Sequence, residues 1–258
     1  VVMNNSPIDI DKLIEGTNEI LTANRNSLQL FDMLHSMRQF DDLTYVHSVN
    51  VALIASILGQ WLEFSEKDIR ILTISGLLHD IGKIMIPNEI LTKPGKLTVA
   101  EYNIMKQHVN FGYEKVKNQN IDIRIKEACL LHHEKCDGTG YPFGLKSDHI
   151  PAVAKIIAIA DVYDAMTSAR VYRGALCPFE VIDTMYKDAF TKFEPEYILP
   201  FLKNVASSYI NNDVRLSDGR IGKVVLINEN ALSLPIVQCE DEFIDLSKTR
   251  GLTVSAIL

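Results

Sequence analysis

The sequence has little of what would mark a secreted or membrane-spanning protein. It contains 4 cysteines in 258 residues. These are the widely spaced Cys129, Cys136, Cys177 and Cys239. Without a C-x-x-C pair, neither a disulfide framework nor a zinc ribbon is favoured. No run of about 18 apolar residues marks a membrane span, and no secretory signal peptide is visible. We therefore expect a cytoplasmic chain that makes no contact with a membrane.

Positive charge is also scarce. Lysine and arginine number 26 against 33 aspartates and glutamates, which gives a net charge of −7. This balance argues against binding to a nucleic acid polymer, because such binding needs a broad basic surface. Positive charge for a phosphate ligand would have to be local, from metal ions and a few basic side chains. The chain begins at Val1, and we expect a longer protein that could carry a sensor or receiver domain and could form a homodimer.

The hydrophobic pattern separates a helical part from a β-rich part. A hydrophobic content of 47% is enough to bury a large core. Apolar spacing predicts helices up to about residue 210, whereas the sequence from Asp213 alternates like β strands, with Asp218 and Gly219 as a hairpin turn. We expect a mainly α fold, a helical bundle with a small C-terminal β appendage. The predicted divisions are N-terminal helices in 1–39, a core domain in 40–210 and a β-rich subdomain in 211–258.

Helix signals place a histidine and an aspartate together at one helix end. Ser65 followed by Asp68 resembles a capping box at the start of a helix. The apolar run that follows ends at His79 and Asp80, and Gly82 is the predicted stop. Two polar groups at the end of a buried helix are costly unless something binds them.

Further candidate ligands fall on other predicted helices. Thr98 and Glu101 form a second capping box, and the helix that they open would carry His108 about two and a half turns in. Another helix is predicted from Asp122 to His133. Asp161 lies in an apolar run of a later helix, where a carboxylate is rarely buried without a partner.

Singly, these residues are weak evidence for a metal site. His47 or His108 alone is more often a hydrogen-bonded helix histidine, and Asp161 could form a buried salt bridge with an arginine. Together they are stronger, because helical bundles build metal sites from histidines and carboxylates on facing helices. The candidate ligands are His47, His79, Asp80, His108, His132, His133 and Asp161.

The residue types favour a two-metal hydrolase. Imidazole nitrogens and carboxylate oxygens suit manganese, iron, nickel, cobalt or zinc, and Asp80 has two oxygens with which to bridge two ions. A water shared by two divalent ions can lose its proton near neutral pH and attack phosphorus. We therefore predict a dinuclear site, with Asp80 among its catalytic groups, that hydrolyses a phosphate ester.

The order of these residues resembles that of the HD-domain metal-dependent phosphohydrolases. The segment from His132 to Pro142 reads HHEKCDGTGYP and is similar to the signature of the HD-GYP domains. His79–Lys83 and Asp161–Arg173 match as well, and the resemblance covers about residues 40–195. It implies an HD-type helical bundle and a phosphodiesterase that converts cyclic di-GMP to pGpG, in some members on to GMP.

The resemblance also implies how the metals are held. Asp80 would bridge two ions, with iron or manganese expected first and zinc, nickel, cobalt or magnesium as alternatives. The other ligands of the first ion would be His47, His79 and Asp161, and those of the second would be His108, His132 and His133. Family members with three metals carry a glutamate four positions before the first histidine. Leu43 stands there and cannot bind a metal, so we expect two ions, unless Asp41 or Asp42 compensates.

Substrate contacts follow from the same resemblance. Lys83 would bind a phosphoryl oxygen or protonate the leaving 3′-oxygen. Arg170 and Arg173 would hold the distal phosphate, and Gly140 and Tyr141 would contact a guanine or a phosphate. From the residues alone, Lys83, Arg170 and Arg173 could equally be solvated loop side chains. The segment with Gly140 and Tyr141 could be a tight turn that packs beside His132 and His133.

Two other functions stay open. The same metal chemistry could act on another cyclic dinucleotide or on a nucleotide phosphate. Alternatively, the chain could be a weakly active module that senses a cyclic dinucleotide or a metal. Leu43, and Val171 where many relatives have proline, leave room for altered activity.

Overall fold

The computed structural model describes residues 43–168 and 176–258. The predicted N-terminal helices in 1–39 lie outside the described residues, as do Arg170 and Arg173. The described chain forms two compact units, which divide between Asp164 and Ala165. The domain boundaries expected from the sequence stay a prediction.

The first unit is helical. It contains the described residues up to Asp164 together with Thr191–Phe193. Its helices are α1 (Leu43–Trp61), α2 (Glu66–Leu78), α3 (Asn88–Leu91), α4 (Val99–Met105), α5 (His108–Val116), α6 (Ile123–Leu131) and most of α7 (Ala152–Thr167), with 3-10 helices at Ile81–Met85 and Ser147–His149.

Two predicted helix starts are confirmed. The Ser65 hydroxyl accepts a hydrogen bond from the backbone N–H of Asp68 at 3.2 Å, which caps α2. At α4, Thr98 Oγ1 accepts from the Glu101 N–H at 3.3 Å, and the Glu101 carboxylate accepts from the Thr98 N–H at 2.7 Å. Each cap satisfies N–H groups that have no partner within the helix.

The prediction that Gly82 stops α2 was wrong. The helix ends at Leu78, with His79 as its C-cap, and Gly82 is buried in the following 3-10 helix. A Cβ at Gly82 would overlap the carbonyl oxygen of His108 and the backbone nitrogen of Gly112. A glycine is needed here because the two backbones approach closely, and this approach brings the end of α2 to the start of α5.

The expected place of His108 within its helix was also wrong. The helix that begins at Thr98 is interrupted at Lys106 and Gln107, and His108 is the first residue of α5. The His108 ring nitrogen Nδ1 lies 2.8 Å from the carbonyl oxygen of Met105, the last residue of α4. In a continuous helix, this carbonyl would accept a hydrogen bond from the backbone N–H four residues later. Here the His108 ring occupies that position instead.

The core of the first unit holds together helices that carry or precede predicted ligands. Leu53 and Ile54 of α1, Leu72 of α2 and Ile156 of α7 are fully or almost fully buried. Each such side chain contributes about 1.5–3 kcal/mol through removal of apolar surface from water. The backbones of α1 and α2 approach closely at Gly76, so the ends of these helices are fixed relative to each other.

The second unit combines two helices with a small sheet, which confirms a mainly α chain with a C-terminal β appendage. The helices are α8 (Pro178–Asp188) and α9 (Pro195–Ser208). The strands are β1 (Asp213–Leu216), β2 (Ile221–Leu226), β3 (Ile236–Cys239), β4 (Glu242–Asp245) and β5 (Val254–Ile257), in the antiparallel order β4-β3-β2-β1-β5. The predicted turn between β1 and β2 is present, with Gly219 at a φ of +93°.

Two absences expected from the sequence can be compared with the structure. The four cysteines all lie in the described stretches, and none of them forms a disulfide. Within the two described stretches, none of the helices is long and apolar enough to cross a lipid bilayer.

Candidate metal centre

The seven predicted ligands lie in the first unit, on five different segments. His47 is on α1, His79 and Asp80 follow α2, and His108 begins α5. His132 and His133 follow α6, and Asp161 is on α7. The structure brings these side chains together in three overlapping groups, within each of which the possible ligand atoms lie no more than 4.8 Å apart. The groups are His47, His79 and Asp80; Asp80, His108, His132 and His133; and His79, His132 and Asp161.

The two oxygens of Asp80 face different histidines. Oδ2 lies 3.5 Å from Nε2 of His47 and 3.3 Å from Nε2 of His79. Oδ1 lies 3.3 Å from Nε2 of His108 and 3.9 Å from Nε2 of His132. The carboxylate therefore stands between two sets of imidazole nitrogens, as a bridging ligand would.

Backbone carbonyls orient three of the histidines. The Nδ1 atom of each lies close to a carbonyl oxygen three or four residues earlier in the chain, at 2.7 Å for His79, 2.8 Å for His108 and 2.9 Å for His132. A carbonyl can only accept, so Nδ1 donates, and Nε2 is the ring nitrogen that faces the centre. Such hydrogen bonds fix the tautomer and ring orientation of metal-binding histidines.

A carboxylate orients the remaining helix histidine. Nδ1 of His47 lies 2.7 Å from Oδ2 of Asp164, and the Asn50 amide donates to Oδ1 of Asp164 at 2.8 Å. Nε2 of His47 lies 3.0 Å from the Asp161 carboxylate. Sequence reasoning assigned no site role to Asp164. Its signal was a second acidic residue, one helical turn after Asp161, in the same apolar run.

The acidic groups of the centre are held in the ionised form. Burial opposes ionisation of Asp80, but Lys83 and His79 hold its pKa well below the usual range. Burial also opposes ionisation of Asp161, but its contact with His47 holds that pKa well below the usual range. For His47, burial lowers the pKa, while Asp161 and Asp164 more than offset this effect and raise it to about 9.

Three other histidines are neutral at pH 7. Burial lowers the pKa of His108 and lowers that of His132 further. Burial likewise lowers the pKa of His133 to about 3, against the opposing effect of Asp161. Neutral imidazoles beside ionised carboxylates are the protonation states that bind a metal ion.

Two buried polar atoms fit a cation. Nε2 of His79 and Oδ1 of Asp80 have no hydrogen-bond partner within the described parts of the chain, and both residues are almost completely buried. An unpaired buried polar atom costs about 1–3 kcal/mol, and more if it is charged. Divalent cations bound between these atoms would remove that cost, so the residues present fit the metals that the sequence predicts.

The predicted Gly140 and Tyr141 lie directly beside the centre. The Tyr141 ring stacks on the His133 ring with 4.7 Å between centroids, and the Tyr141 N–H donates to the His133 carbonyl at 3.1 Å. A Cβ at Gly140 would lie 2.5 Å from Cα of Glu134. Gly140 therefore allows the loop to fold back on the residue after the two histidines, and Tyr141 covers one of them.

Glu134 holds this loop closed. Its buried carboxylate accepts backbone N–H groups from Phe143 at 2.7 Å, Gly144 at 3.1 Å and Leu145 at 2.9 Å. Sequence reasoning assigned no role to Glu134, although it directly follows the two histidines. The carboxylate accepts hydrogen bonds from backbone N–H groups of a turn that lies outside any helix or sheet.

Lys83 is also at the centre. Its ammonium group contacts Oδ2 of Asp80. A cation that can donate to a phosphoryl oxygen is thus present beside the carboxylate that the sequence predicts as the bridging ligand.

The chain belongs to the HD-domain family. Residues 15–197 match the family described as "HD domain". This match confirms the resemblance drawn from the sequence and includes every segment that supplies a predicted ligand. Members of the family hold divalent metals, and the cluster described here could bind them.

The chain is also similar in sequence to proteins named as phosphodiesterases of cyclic dinucleotides. A cyclic di-GMP phosphodiesterase of Pseudomonas aeruginosa is 37% identical over 78% of this chain and 49% of its own length. A 3′3′-cGAMP-specific phosphodiesterase of Vibrio cholerae is 36% identical over 66% of this chain and 38% of its own length. The chain thus spans half or less of these relatives. The solved structure of an HDG"Y"P protein from Bdellovibrio bacteriovorus has a similar fold, with a TM-score of 0.59 and 21% identity over 74% of this chain and 60% of the other.

Proposed function

We propose that the chain is the catalytic part of a metal-dependent phosphodiesterase that hydrolyses cyclic di-GMP to pGpG, with further hydrolysis to GMP as the alternative outcome. Iron or manganese is the expected metal, with two ions per chain. A cytoplasmic location, a homodimer and a sensor or receiver domain elsewhere in the protein belong to the same proposal.

The observation that carries this proposal is the placement of the Asp80 carboxylate. It is buried between two sets of Nε2 atoms, and one of its oxygens has no other partner in the described structure. The ligands of one ion would be His47, His79, Asp80 and Asp161. Those of the second ion would be Asp80, His108, His132 and His133.

The metals and the chain would divide the chemistry. Two divalent cations would supply a water that loses its proton near neutral pH, and they would neutralise charge that develops on the phosphoryl oxygens. The Lys83 ammonium, in contact with Asp80, would donate to a phosphoryl oxygen or protonate the leaving 3′-oxygen. Tyr141, stacked on His133, would contact a base or a phosphate at the edge of the centre. Arg170 and Arg173 would hold the distal phosphate.

The direct test is product analysis. Metal-replete protein, prepared separately with iron and with manganese, is incubated with cyclic di-GMP, and the products are separated by chromatography. We expect pGpG or GMP with at least one metal and neither product from an Asp80→Ala variant. Binding of cyclic di-GMP without turnover by the metal-replete protein would favour the sensing module instead.

A second candidate substrate is another cyclic dinucleotide. The Vibrio cholerae relative is named for 3′3′-cGAMP and is nearly as similar as the Pseudomonas aeruginosa relative. Turnover of cyclic di-GMP and 3′3′-cGAMP by the same preparation separates the two possibilities. We expect the larger kcat/KM for cyclic di-GMP.

A further inference from the structure

A lysine lies between two tyrosine rings at the edge of the candidate centre. Lys106 Nζ is 5.3 Å from the centroid of the Tyr102 ring and 6.0 Å from that of the Tyr141 ring. The Tyr141 ring lies 6.4 Å from the ring of His108 and stacks on His133. We call Lys106, Tyr102 and Tyr141 the Lys106 cluster. It borders two of the proposed ligands without being one of them.

The ammonium of Lys106 is free to bind an acceptor. Within residues 43–168 and 176–258, Lys106 contacts aromatic rings but forms no ion pair with a carboxylate. Lys83 and Lys93 differ in this respect, since Asp80 and Glu101 hold them. An ammonium has three donors and no acceptor, so Lys106 can donate to a ligand. Tyr102 is 48% exposed, so the cluster opens to solvent.

The combination of flat rings and a donor suits a purine base. Aromatic side chains bind nucleobases by stacking, at about 1–3 kcal/mol per base. Guanine presents two acceptors, O6 and N7, on one edge, whereas adenine presents one acceptor and an amino donor there. An ammonium can donate to both guanine acceptors. On adenine it would face the amino group, which is itself a donor.

We propose that the Lys106 cluster is a base-binding subsite that holds a guanine and selects it over adenine. The proposal deepens the proposed function, since it rests on hydrolysis of a cyclic dinucleotide at the adjacent centre. A contact to phosphate would require only the charge of Lys106. The two rings around that charge favour a base.

The test compares Lys106→Met with the wild type on three substrates. These are cyclic di-GMP, cyclic di-AMP and bis(p-nitrophenyl) phosphate, a phosphodiester without a base. We expect kcat/KM for cyclic di-GMP to fall about tenfold or more, as for loss of a good contact to a base edge. The other two substrates should change by less than about twofold, because they use the centre but not the guanine contact.

Two controls accompany this variant. Lys106→Arg keeps donors for O6 and N7 and should retain the preference for guanine. Lys96→Met removes one positive charge from an exposed position and should leave all three rates unchanged. Equal losses on the two cyclic dinucleotides would show a phosphate contact and overturn the proposal, and so would an unchanged ratio of their kcat/KM values.

A second measurement tests base selection even if the proposed function fails. Should neither cyclic dinucleotide be hydrolysed, base selection is measured as inhibition of bis(p-nitrophenyl) phosphate hydrolysis by GMP and by AMP. The wild type should bind GMP more tightly, and Lys106→Met should remove the difference. A wild type without that difference, or a variant that keeps it, would overturn the proposal.

Discussion

Nδ1 of His47 lies 2.7 Å from the carboxylate of Asp164, which is itself fixed by the amide of Asn50 at 2.8 Å. His47 is the predicted ligand on α1, and its other ring nitrogen faces Asp80 and Asp161. The carboxylate of Asp164 thus determines which nitrogen of His47 is presented to the centre.

We predict that Asp164→Asn weakens metal binding about 10- to 100-fold, the usual effect of losing a group that orients a ligand. Metal content after dialysis against a graded series of chelator concentrations measures the effect. Asp148→Asn, at an exposed carboxylate, is the matched control and should retain metal. A variant of Asp164 that retains metal as firmly as the wild type would show that Asp164 does not orient His47.

Asp80→Asn should remove metal and activity together. The amide keeps the shape of the side chain but supplies one weakly binding oxygen where the centre needs two charged ones. We expect most of the bound metal to be lost and turnover to fall below detection, with helical circular dichroism preserved. Elemental analysis and product chromatography on the same samples check this, and retention of two ions with loss of activity alone would contradict the bridging role.

Metal binding should release a proton from His47. Its pKa is raised to about 9, so the proton is present at pH 7 and a bound cation must displace it. The apparent affinity should therefore rise by about tenfold per pH unit up to pH 9. Calorimetry in buffers of different ionisation enthalpy measures the released proton. An affinity that does not change between pH 7 and 9 would show that His47 is neutral before metal binds.

The raised pKa of His47 should also make the metal-free protein less stable as the pH rises. Protonated His47 stabilises the fold, and this contribution is fully present below its usual pKa of 6.5. It is lost as the pH rises through about 9, the folded-state value. Chemical unfolding of the metal-free protein should therefore show lower stability at pH 9.5 than at pH 6.5.

Glu134→Gln should loosen the loop that carries Tyr141. The variant replaces a carboxylate that accepts three backbone N–H groups with an amide that carries no charge. Loss of charge-assisted hydrogen bonds in a buried site costs about 2–3 kcal/mol. Denaturant unfolding measures the loss, with Glu89→Gln at an exposed position as the control. Equal stability of the two variants would contradict the assigned role.

Residue types and their order were enough to predict which side chains meet. Imidazoles and carboxylates in apolar helix faces need partners, so His79, Asp80 and Asp161 could be placed in one centre before the fold was known. The caps at Ser65 and Thr98 were predictable because a short local pattern determines them.

The parts that sequence reasoning missed depend on contacts between distant segments. The helix break before His108 lies where Gly82 approaches the backbone of α5, a contact that no local sequence pattern encodes. Asp164 contacts the predicted ligand His47, and Glu134 contacts the backbone of the loop that follows it. Both contacts form only when the chain is folded. Arg170 and Arg173 lie outside the described residues and stay predictions.

Two cations are expected to share the Asp80 carboxylate. Anomalous scattering from crystals of manganese-loaded protein tests this expectation most directly. Two peaks are expected, one beside each oxygen of Asp80, with His47 and His79 near one peak and His108 and His132 near the other. A single peak, or peaks away from Asp80, would contradict it.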